Sequence, residues 1–94
     1  MKKKILDRFV TIKGLIKTVD SSRATTDLRR NQMMLRLWND QWNWLIDQLD
    51  NPKDIAKARV LYGMLSNKIA LTLSWDEFKE LIYDIMKGVE NYVR

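Results

Sequence analysis

Asp76, Glu77, Glu80 and Asp84 are the residues best placed by type and spacing to hold a cation or move a proton. At helical spacing Glu80 and Asp84 lie one turn apart, opposite the apolar stripe of the same segment, where carboxylates ordinarily just solvate a helix. Nothing nearby completes a site. The chain has no His and no Cys, so it lacks the commonest general base and metal ligand and the most reactive nucleophile. Zinc would need an all-carboxylate shell, and no disulfide can form. The expectation is a protein that is not an enzyme, takes no cofactor and works by contact.

Two sets of residues could make such contacts. The first is basic: Lys2, Lys3, Lys4, Arg8, Lys13, Lys17, Arg23, Arg29, Arg30 and Arg36. Residues 1–36 carry ten Lys and Arg against three Asp, a balance of +7, while residues 37–94 carry seven against nine acids, a balance of −2. This asymmetry suits phosphate, anionic lipid or an acidic protein face. A module that binds nucleic acid or regulates through its first third is therefore the alternative reading. It lacks stacking groups, since no Trp is interleaved with these positions in the sequence. A helix-turn-helix around Ala56–Ala70 is weakly supported as well, because Gly63 is the only turn residue there and the apolar phase runs straight through it.

The second set surrounds three tryptophans. At 100° per residue, Trp38 and Trp42 point with the core stripe of their helix and Trp44 points about 145° away. Met33 and Leu37 project with Trp44, and Arg30, Arg36, Asp40 and Asp47 rim them. One reading makes this helix central and packed on two sides. The other leaves Met33, Leu37, Trp44, Arg30 and Arg36 as a partner-binding patch, with the composition favoured at interaction sites. The rim charges need water close by, which favours partial burial of Leu37 with Trp44 at the surface. The occupant would be another protein or a second copy forming a homodimer.

These residues must be positioned by helices. Ile5, Phe9, Ile12, Ile16 and Val19 step at four, three, four and three, predicting a first helix from about Lys4 to Val19. Lys3, Arg8, Lys13 and Lys17 lie off that stripe, giving it a basic outer face. The polar run 20–27 supplies a loop and the next cap, at Ser22, Thr26 or a neighbour. A second helix follows to about Leu49, with Leu28, Leu35, Trp38, Trp42, Leu45 and Leu49 on heptad spacing and Asn31 the one polar intruder. Asn51, Pro52 and Asp54 open a third helix carrying Ile55, Ala58, Tyr62, Leu65 and Ile69, which ends between Asn67 and Leu71. The alternation Ile69-Ala70-Leu71-Thr72-Leu73 suggests a short extended linker. Ser74 and Glu77 fit a capping box for a fourth helix striped by Trp75, Phe78, Ile82, Ile85, Val89 and Tyr92.

Four amphipathic helices with short connections predict an all-α, compact antiparallel four-helix bundle, a single domain over 1–94. Met1-Lys2-Lys3-Lys4-Ile5-Leu6 opens like a signal peptide, but Asp7, Arg8 and Lys13 break the apolar run that export requires. No stretch approaches the roughly 20 apolar residues of a transmembrane helix. A cytoplasmic protein is expected, with membrane contact at most peripheral.

The stretch Ala58-Arg59-Val60-Leu61-Tyr62-Gly63-Met64-Leu65-Ser66-Asn67-Lys68-Ile69, then Leu71-Thr72 and the helix start Trp75-Asp76-Glu77-Phe78, resembles the second half of class IIa (pediocin-like) bacteriocin immunity proteins. The Lys-rich start and four-helix plan are similar too. The resemblance covers roughly a third of the chain and implies a small bacterial or phage-type protein that protects or inhibits by binding. It transfers no individual functional residue.

Overall fold

The computed structural model describes residues 2–23 and 26–92, apart from the side chains of Lys2, Asn91 and Tyr92. Five helices follow one another: α1 (Lys2–Asp20), α2 (Asp27–Asp47), α3 (Pro52–Gly63), α4 (Asn67–Thr72) and α5 (Trp75–Tyr92). Among the described residues there is no strand. α3 and α4 together make the third arm of an antiparallel four-helix bundle, about twice as long as wide at 41 × 22 × 21 Å. α2 is its central helix and packs on each of the other four, while α1 also meets α5. Three cross-links fix the directions: Lys4 Nζ donates to the Gln48 carbonyl, Trp38 Nε1 to the Tyr62 carbonyl, and Lys13 pairs with Glu90.

Local chemistry sets the helix ends. The Thr26 side chain accepts from Arg29 N–H at 3.2 Å to begin α2, and Asn51 accepts from Lys53 N–H at 2.9 Å just before Pro52 begins α3. The capping box at α5 forms as expected: Ser74 N–H donates to Glu77 Oε1 at 3.0 Å, and Glu77 N–H donates to Ser74 Oγ at 3.2 Å. The Ser74 backbone N–H, and after it the Ser74 side chain, hold the Glu77 carboxyl below the usual carboxylate range.

The core is filled from every helix. Ile5, Phe9, Ile12, Ile16 and Val19 are all buried, so the first stripe lies inward along its whole length. Trp38 and Trp42 are enclosed, edge-on to each other at 5.3 Å between ring centroids, with Phe9 edge-on to Trp42 at 6.2 Å. From α5 come Trp75, Phe78, Ile82 and Met86. Met86 is buried while Ile85 and Val89 are only half-buried, so the inward line of α5 advances by four residues beyond Ile82. Tyr92, the last residue expected on that stripe, has its side chain outside the described residues.

Three expectations are corrected. The third helix is not continuous: α3 stops at Gly63, Met64 and Leu65 turn, and Ser66 caps α4 by accepting from Ile69 N–H at 3.3 Å. The supposed extended linker Ile69–Leu73 is mostly α4, and only Leu73 is extended. A capping serine restarted the helix where alternation had suggested strand-like backbone. Leu28, expected in the core, is 43% exposed because it sits in the first turn of α2, before the neighbouring helices close around it.

Asn31 is explained by the end of the third arm, where α4 gives way to α5. It is fully buried, and its Nδ2 donates to the carbonyls of Ala70 at 3.0 Å and Leu73 at 2.7 Å. The Ala70 carbonyl would pair with Ser74 N–H in a continuing helix, but that N–H is committed to Glu77. Asn31 therefore supplies donors that the α4–α5 junction cannot supply for itself.

Candidate partner-binding surface

α2 shows one side to solvent even though four helices surround it. Trp44 is 49% exposed and Met33 41% exposed, and Leu37 between them is half-buried. Arg29, Arg36, Asp40 and Asp47 are exposed on the same side. The helix is central, and its third face still reaches water. Trp38 and Trp42 belong to the core and Trp44 does not.

The tertiary fold adds a group that the sequence placed elsewhere. Arg8, from α1, lays its guanidinium over the Trp44 ring with Cζ 4.0 Å from the centroid, and its Nη1 donates to Gln41 Oε1 at 2.9 Å. Cation and ring are therefore held in register by a hydrogen bond that Arg8 donates to a third residue. One turn earlier Lys4 reaches the Gln48 carbonyl at 3.3 Å. A basic side chain is interleaved with an exposed Trp after all, across two helices rather than along one. No spacing in the sequence pointed to Gln41, because its role depends on how α1 lies against α2.

The basic residues do not gather on one face. α1 turns its apolar stripe to the core, and this sends Lys4 and Arg8 to the flank beside α2 but Lys13 to the flank beside α5, where it pairs with Glu90 at 3.7 Å. Lys3 and Lys17 are exposed, and Lys2 lies outside the described side chains. Arg30 is half-buried with its Nε enclosed and unpartnered among the described residues, so it belongs to the seam between helices more than to an open rim.

At the far end of α1, Asp20 joins that helix to α5. Its Oδ1 accepts from Trp75 Nε1 at 2.8 Å and from Lys79 Nζ at 3.3 Å. These two bonds, with the Lys79 charge and then that of Arg30, hold the Asp20 carboxyl below its ordinary range. Asp76 also pairs with Lys79, at 3.4 Å. Of the α5 carboxylates, Glu77 is used for capping and Asp76 for pairing, while Glu80 and Asp84 are exposed. Among the described residues no group of three or more acidic side chains gathers to hold a metal ion, and no helix is long and apolar enough to cross a membrane.

Comparison of the chain with protein-family models, curated proteins and solved structures finds no match. The surface is therefore read from its own residues.

Proposed function

We propose that this protein is a non-catalytic binding protein, of the immunity, inhibitor or adaptor type, that meets a protein partner through Trp44, Met33, Leu37, Arg8 and Arg36. The observation that carries the reading is Trp44 itself. A helix that encloses two tryptophans completely leaves a third half in water, held under the Arg8 guanidinium. Trp, Arg and Met are the residues on which binding energy concentrates at protein interfaces, and a ring already fixed in place loses little freedom on docking.

Arg8 over Trp44 also gives weight to a second reading, in which the pair stacks on and neutralises single-stranded nucleic acid. Asp40 and Asp47 argue against it, since they place carboxylates beside the same ring, where a phosphate chain would have to pass.

The test is capture of partners from the producing cell on immobilised parent and on Trp44→Ser, with retention followed as salt is raised. Retention by the parent alone that survives high salt supports an apolar protein interface. Loss of all retention with salt in both proteins supports the nucleic-acid reading. Sedimentation of the same two proteins checks whether the partner is a second copy.

A further inference from the structure

The charges on the outer face of α2 are arranged symmetrically. Arg29, Arg36, Asp40 and Asp47 are all exposed, and among the described residues none of the four makes a salt bridge within the chain. At 100° per residue they fall within about 40° of one another, on the side of the helix opposite its buried residues. Both cations lie in the N-terminal half of this line and both carboxylates in the C-terminal half. Trp38 marks the midpoint of each pair, since 29 and 47 lie nine residues to either side of it and 36 and 40 lie two. Read backwards, the line puts an acid wherever it had a cation. The exposed Met33 and Trp44 flank the same midpoint at five and six residues.

A face with this pattern matches itself only when inverted. When a second copy lays its α2 antiparallel across the first, about a two-fold axis at Trp38, Arg29 meets the copy's Asp47 and Arg36 meets the copy's Asp40, each contact occurring twice. Met33 falls beside the copy's Trp44, where a thioether packs well on an aromatic ring. Parallel packing would instead set Arg29 against Arg29 and Asp47 against Asp47. The like charges that the antiparallel arrangement brings nearest are Arg8 and Arg30, on the flank toward α1. Both are half-buried and drawn toward their own chain, Arg8 onto Trp44 and Gln41 and Arg30 into the seam. Lys4 lies past the end of the line, on the Gln48 carbonyl.

From this inverted symmetry of charge we propose that a second copy of this chain, packed antiparallel through α2, occupies the Trp44 surface until another partner displaces it. The inference rests on the reading of that surface as a protein interface, and it names the occupant. Charge complementarity selects it, because a uniformly acidic or basic partner would meet two like charges at one end of the line. From Arg29 to Asp47 the line spans about 27 Å of helix. One helix laid on another over that length makes a small interface of the transient kind, so monomer and dimer exchange and the surface stays open to a tighter partner.

Sedimentation velocity of the full chain from about 1 to 500 μM, at low salt where charges are least screened, tests this. A concentration-dependent dimer is expected, and Trp44→Ser should weaken it. Arg29→Glu and Asp47→Arg should each weaken it at least about tenfold, because each change acts twice about the two-fold axis. Arg29→Glu/Asp47→Arg in one chain should restore dimerisation to within about threefold of the parent. The two positions are too far apart to meet within one molecule, so restoration has to pass through a second copy in the antiparallel register. Both are exposed near the ends of α2, and each new charge suits its end of the helix dipole, so all these variants should keep the parent's circular dichroism. A parent that stays monomeric throughout overturns the inference, as do single variants that dimerise like the parent or a double variant no better than the singles. A monomeric parent that still captures a partner through Trp44 overturns this inference alone. A charge-restored dimer that captures nothing from the producing cell supports it and overturns the immunity, inhibitor or adaptor reading instead.

Discussion

Replacing Asn31 with Leu keeps the branching of the side chain, with somewhat more bulk, but removes the two N–H donors that serve Ala70 and Leu73. Each carbonyl left buried without a donor costs about 1 to 3 kcal/mol. Against that loss, the Asn31 Oδ1 is itself buried without a partner among the described residues, so removing it relieves a penalty of similar size, and Leu gains a little from apolar burial. The balance is a loss of about 2 kcal/mol, or a fall in Tm of about 8 to 16 °C for a chain of this length. Asn31→Asp should be worse, because it sets a charge against two carbonyl oxygens with nothing to neutralise it. Acid should partly rescue the Asp variant, since a protonated carboxyl can donate to one of the two carbonyls. Thermal and urea melts of the three proteins at neutral and acid pH measure this. An Asn31→Leu protein as stable as the parent would show that the α4–α5 junction does not depend on this donor.

Trp44→Ser should cost about 1 to 2 kcal/mol, between the values for a free and an enclosed ring, because half the indole and the Arg8 contact are lost; a cost above about 3 kcal/mol would place Trp44 in the core after all. Leu45→Ala and Ile82→Ala, both fully enclosed, should each cost about 2 to 5 kcal/mol in chemical denaturation, and parent-like melts would mean the stripes are misphased. Gly14 and Gly88 lie in exposed helix interiors with open space where a Cβ would project, so changing each to Ala should stabilise by about 0.5 to 1 kcal/mol, and a loss would reveal a hidden contact. Asp20 and Glu77 have folded pKa values below their unfolded ones, so their stabilisation is complete above the unfolded carboxylate range near pH 4 and is lost as pH falls through the lower folded values. Asp20→Asn/Glu77→Gln should therefore be less stable than the parent at neutral pH and lose less on acidification, as parallel melts from pH 6 to about pH 2 would show.

Periodicity alone was enough to place α1, α2 and α5 and to phase the whole inner face of α1, because a stripe such as Ile5 to Val19 has one way to leave water whatever it packs against; on α5 the buried line left the expected stripe after Ile82 for Met86. Cap chemistry is equally local, so Asn51 and the Ser74–Glu77 box could be read directly from the chain, while Thr26 was one of several candidates in its polar run. Those signals were weaker where two local preferences competed. Around Gly63 to Leu73 an unbroken apolar phase concealed the cap at Ser66 that restarts the helix as α4.

The Trp44 surface divides in the same way. Its membership, Met33 and Leu37 with Trp44, follows from 100° steps along one helix and needs no partner to deduce. How far each side chain reaches water was decided by the neighbours: Leu37 is partly covered and Arg30 is drawn into the seam, while Arg36 is exposed. Arg8 over Trp44 and the separation of Lys4 and Arg8 from Lys13 depend on how α1 and α2 are set side by side. That register is fixed by how Phe9, Trp38 and Trp42 interlock, a fit of shapes between distant segments that no sequence spacing encodes.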